Sequence, residues 1–60
     1  MKLRRHRRVE VHLTDGTDRS MVISEIKVED GIAYFGRDDG NGFREFLAAP
    51  LTSIISWDYG

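Results

Sequence analysis

Five of the chain's nine Lys and Arg side chains lie in its first eight residues, Met1-Lys2-Leu3-Arg4-Arg5-His6-Arg7-Arg8. Cations at that density neutralise phosphates and release condensed counterions, which gives affinity without base specificity. Arg4, Arg5, Arg7 and Arg8 are therefore the candidate nucleic-acid contacts. No aromatic residue interleaves with them, so the pattern is incomplete for a nucleic-acid signature. A solvated tail, or the basic edge of a strand pairing with acids of the body, accounts for the same residues.

Other chemistry is thinly represented. His12 and Glu10 are two apart, so on a strand they share a face and an imidazole meets a carboxylate. On a surface that is an ion pair rather than an acid–base couple. No nucleophile elbow, phosphate loop or metal-dyad motif occurs, and the chain is expected not to be an enzyme. Asp38-Asp39-Gly40-Asn41-Gly42 sets carboxylates among glycines. Counted from Asp38 as an EF-hand loop, the twelfth position is Ala49 where glutamate is needed. A hairpin turn is the better account. There is no cysteine, and His6 and His12 have no zinc-site spacing. No metal, cofactor or disulfide is expected.

The elements that must hold these residues are strands. Val9, Val11 and Leu13 alternate with Glu10, His12 and Thr14, the period of a half-buried strand. Asp15-Gly16 follows as a turn. Arg19 to Glu29 places Val22, Ser24, Ile26 and Val28 on one face and Met21, Ile23, Glu25, Lys27 and Glu29 on the other. The apolar pair Met21 and Ile23 breaks the alternation, which predicts a bulge or strong bend near Ser24. Asp30-Gly31 predicts a two-residue hairpin turn. Ile32 to Phe35 and Phe43 to Ala48 supply the third and fourth strands. Ala49-Pro50-Leu51-Thr52-Ser53 reads as a short 3₁₀ turn, because proline cannot donate to a ladder. Ile54 to Tyr59 is the last strand. The strand pattern begins at Val9. The expected division is a basic N-terminal arm, 1–8, that the fold does not need, and a β domain, 9–60.

This order resembles the small SH3-like barrels and, less closely, the Sm-like barrels. The resemblance covers residues 9–59 and rests on strand order and on Pro50-Leu51-Thr52-Ser53-Ile54-Ile55, where such barrels carry a 3₁₀ turn. It implies an all-β, five-stranded antiparallel barrel; the alternative is an open sheet completed by a partner chain. The peptide-binding SH3 signature and the glycine-bearing last-strand motif of Sm proteins are absent, so no family function carries over. In size and composition the chain also resembles orphan proteins of actinobacterial phages.

Sixty residues make one domain. A core this small supplies roughly 3–5 kcal/mol. The formal net charge is −1, but residues 9–60 carry four bases against ten acids, so an acidic body follows a cationic segment. No apolar run follows the basic start, and a cytoplasmic protein is expected. Large apolar side chains fall on both faces of the second and third strands, more than one small interior holds. The surplus predicts a protein interface, with Met21, Ile23, Phe35, Trp57 and Tyr59 as its candidates. Trp57 and Tyr59 would equally serve to close the barrel floor. Self-association as a homodimer is the expected source of added stability. The functional expectation is a non-enzymatic protein-interaction module, of the phage-encoded kind it resembles, that docks on a host or self protein through an exposed apolar patch. The alternative is nucleic-acid binding led by the arginines.

Overall fold

The turns named by the sequence set the architecture. In the computed structural model, which describes residues 1–60, the chain runs β1 (Lys2–Leu13), β2 (Asp18–Glu29), β3 (Ile32–Asp38), β4 (Phe43–Pro50), a 3₁₀ turn (Leu51–Ser53) and β5 (Ile54–Tyr59). Asp30 and Gly31 both take positive φ, +53° and +75°. That is the type I′ geometry whose twist matches the flanking strands, and it pairs Glu29 with Ile32. Between β1 and β2, Asp15 Oδ1 accepts from Thr17 N–H at 2.9 Å and Leu13 N–H donates to Thr17 O.

All five strands form one antiparallel sheet in the order β4-β3-β2-β1-β5. β4 and β5 are its two edges. No ladder joins them, so the sheet is not closed, and the expected closed barrel is corrected to one open antiparallel sheet. The 3₁₀ turn stands where the proline placed it, with Leu51 N–H donating to Gly31 O at 2.8 Å.

Three bulges curve the sheet. In β1, residues 3–6 lie between the pairs Lys2–Glu25 and Arg7–Ile23, opposite the single residue Ser24. In β4, Phe46 is extra between the pairs Phe35–Leu47 and Gly36–Glu45. In β5, Ile55 is extra between His12–Ser56 and Leu13–Ile54. Each added residue sharpens local twist and reverses the parity of the side chains beyond it.

That parity decides the core. Ile23 and Ile26 are three apart yet both buried, which a straight strand forbids. β2 bends at Ser24. It pairs with β1 through Asp18–Ile23 and again at Glu25, and with β3 through Glu25–Glu29. The apolar row read from the sequence is corrected accordingly: Ile26 faces in, but Val22 and Val28 face solvent. Val9, Val11, Ile23, Ile26, Ala33 and Phe35 form the buried cluster, ringed by half-buried Leu3, Leu13, Met21, Phe46, Leu47, Ile54, Trp57 and Tyr59.

The basic segment is not a free arm. β1 begins at Lys2, and Leu3 packs on the core. Ile26 N–H donates to Met1 O at 2.8 Å, the Met1 amine donates to Ile26 O, and Gly60 N–H donates to Arg8 O. The boundary expected at Val9 is corrected: the polar residues 2–8 hide a strand that carries the arginines.

Candidate nucleic-acid interface

Four residues cannot lie flat against one, so β1 arches outward at residues 3–6. Leu3 turns in, while Arg4, Arg5 and His6 stand exposed on the arch. Lys2, Leu3, Arg4, Arg5, His6, Ser24, Glu25 and Asp38 line a hollow of about 550 Å³. A second, of about 490 Å³, shares Leu3, Arg4 and Arg5 and adds Arg7. A third, of about 210 Å³, lies between His6 and the β3–β4 hairpin, against Arg37, Asp39 and Arg44. Shared residues join the three into one tract. Its walls hold six Lys and Arg side chains against three carboxylates, with His6 in addition.

Several cations are held over aromatic rings. The Arg7 guanidinium lies 4.9 Å from the Tyr59 ring centre and that of Arg37 lies 4.8 Å from Phe46. Lys27 Nζ lies 4.6 Å from the Phe43 ring. Ring faces attract cations, and the same rings offer surfaces on which bases stack. Arg7 and Arg37 line the tract, while the rings of Tyr59 and Phe46 beside them do not.

The arginines named from the sequence divide. Arg4, Arg5 and Arg7 line the tract. Arg8 turns away, its Nε donating to Ser20 Oγ at 3.1 Å. Lys2, His6, Arg37 and Arg44 join the tract and were not singled out. Arg37 and Arg44 are opposite one another in the β3–β4 ladder, and the strand signals flanking Asp38–Gly42 carried that pairing.

The apolar candidates are corrected by burial. Ile23 and Phe35 have no exposed surface and are unavailable to a partner. Met21 is half-buried against the core. Trp57 packs edge-on to Phe35, centroids 5.3 Å apart at 81°. Tyr59 is half-buried under Arg7, its hydroxyl without a hydrogen-bond partner. The large apolar groups facing solvent are Met1, Val22, Val28, Leu51 and Ile55, scattered over the termini, β2, the 3₁₀ turn and β5.

The far end of β1 is acidic. His12 Nδ1 lies 2.9 Å from Asp18 Oδ1 on β2, and Nε2 lies 3.0 Å from Asp58 Oδ2 on β5. Glu10, the partner expected from spacing, is at 3.8 Å. The four residues between β1 and β2 set His12 opposite Asp18. Glu10, His12 and Asp18 are of metal-ligand type. Ionised carboxylates only accept, so both contacts are hydrogen bonds when the imidazole carries both protons. The cluster is an ionic clamp across β2, β1 and β5. Asp18 first, then Asp58, holds the His12 pKa above its usual 6.5.

A group whose pKa is raised on folding adds stability below its unfolded value and loses it as pH rises through the folded one. The melting temperature is therefore expected to fall as pH climbs from below 6.5 through the raised value. His12→Gln should remove that dependence. Parallel melts of both proteins over this range check it. A constant difference between them at every pH would show that the clamp does not titrate.

No helix is long and apolar enough to cross a membrane. No protein-family model, curated protein or solved structure matches the chain.

Proposed function

We propose that the chain is a non-enzymatic module of the open SH3-like type that binds single-stranded nucleic acid along the basic tract. One observation carries this reading. The β1 bulge places His6 where the hollow lined by Lys2, Arg4 and Arg5 meets the one lined by Arg37 and Arg44, a concentration of cations on a chain of net charge −1. A single strand suits the groove better than a duplex. Asp38 and Asp39 interrupt a broad basic face, whereas a narrow strand follows the cations and stacks on neighbouring rings. The Glu10, Asp18 and Asp58 end repels phosphate and would orient the strand at the opposite end.

Fluorescence anisotropy with a labelled oligonucleotide tests this. With about five phosphates engaged, log affinity is expected to fall against log salt with a slope of about −3.5. Replacing Arg4 and Arg5 by Ala should make the slope shallower by about 1.4. Arg8→Ala should leave it nearly unchanged. Lack of binding to DNA or RNA at low salt would end the proposal.

A protein partner, a second copy included, is the other reading. It is favoured by the open β4 and β5 edges and by Ile55, 68% exposed at the β5 bulge. Unpaired backbone groups at such an edge accept another strand. Capture from cytoplasm that survives nuclease and moderate salt would point there.

A further inference from the structure

Among the residues lining the largest hollow is a buried glutamate that the cationic tract does not explain. Glu25 is only 8% exposed, it lines the hollow, and no hydrogen-bond donor reaches its Oε1. Its place is forced. It is the first residue of β2 beyond the bend, paired with Gly36 on one side and Lys2 on the other. Buried polar groups almost always have partners, and one without asks for an explanation.

The surroundings restrict the partner. A buried carboxylate accepts hydrogen bonds and repels phosphate, so the group seated on it must be a donor. The rim carries Lys2, Arg4 and Arg5, which repel an ammonium or guanidinium ligand. The seated group must therefore be neutral. The same rim attracts an anion covalently attached to that group. A nucleotide meets all three demands, with a neutral donor edge on the carboxylate and its phosphate on the rim. Guanine meets them best, because its adjacent N1–H and N2–H donors match the two oxygens of one carboxylate. Thymine and uracil offer one ring N–H between two carbonyls, and those carbonyls would face the carboxylate.

We infer that this hollow is a guanine site, with Glu25 reading the base edge and Lys2, Arg4 and Arg5 holding the phosphate. The inference rests on the nucleotide-binding reading of the same tract and adds base preference to it. The guanine belongs to a strand or to a free nucleotide.

The test uses the full chain and short thymidine oligomers carrying one central guanine, inosine, adenine or no purine, with guanosine monophosphate in a parallel titration. Guanine is expected to bind about tenfold or more tighter than the all-thymidine oligomer. Inosine, lacking the N2 donor, should fall between them. Glu25→Gln, checked for fold by circular dichroism, should erase the preference and keep the salt slope. The inosine arm needs no variant, so it stands even if that protein does not fold. Equal binding of all oligomers overturns the guanine site and leaves phosphate binding intact. Binding of the monophosphate alone keeps the site and overturns the strand-binding reading. No binding of any ligand overturns both.

Discussion

Gly36→Ala is expected to unfold the domain. A Cβ at Gly36 would sit 2.0 Å from Arg44 O and 2.8 Å from Phe43 Cζ. The phenyl ring can turn aside, but a backbone carbonyl cannot. Relief requires β4 to move away from β3, and the Phe46 bulge and the Gly36–Glu45 and Arg37–Arg44 pairs would go with it. Gly36 does not have positive φ, so the penalty is steric and not conformational. Overpacking of this kind destabilises by about 3 kcal/mol or more when backbone must yield, against roughly 3–5 kcal/mol available to a core this small. Gly40→Ala is the control: φ is +96° there and nothing lies within 4 Å of the new methyl, so only a local backbone strain is added. Thermal melts by circular dichroism decide it. A Gly36→Ala midpoint within about 4 °C of the parent, under about 1 kcal/mol, would mean that β4 does not run tight over Gly36.

Deleting residues 1–8 should have an effect of similar size. The deletion removes the Lys2–Glu25, Arg7–Ile23 and Arg8–Val22 pairs, the bonds of Met1 to Ile26, and the acceptor for Gly60 N–H. It also uncovers the core beneath Leu3 and the carboxylate of Glu25. Half-burial of one leucine and a few hydrogen bonds together amount to about 2–4 kcal/mol. The truncated chain is expected to show weakened β circular dichroism and a broad, early melt. Replacing Arg4, Arg5 and Arg7 by Gln in the full chain, which keeps the strand and removes charge, should melt near the parent. A stable, cooperative truncated domain would restore the picture of a dispensable arm.

The two predictions divide fold from charge along β1. If the Gln variant folds and loses its salt-dependent binding, the strand is structural through its backbone and Leu3, and functional through its arginines.

Local chemistry in the sequence determined the strands and turns. Asp30-Gly31 must make a tight hairpin, because few other pairs accept positive φ twice in succession. Pro50 ends a ladder for lack of a donor, and period two over Val9 to Leu13 places Val9 and Val11 inside. The charge density of residues 1–8 was equally plain. These are near-neighbour properties, readable one segment at a time.

The faces of the residues beyond each bulge were decided only by tertiary structure. Ile23 and Phe35 looked surplus because the bend expected near Ser24 does not by itself say which faces meet beyond it. The bend at Ser24 and the Phe46 bulge bring them into one interior with Ile26. The same bend buries Glu25, which alternation alone had placed beside Lys27 on a polar face. Arg37 and Arg44 reach His6 only because β2 hands over from β1 to β3 at that point. Where a strand bulges depends on what distant strands must pack against, and one residue's shift exchanges the two faces of everything after it.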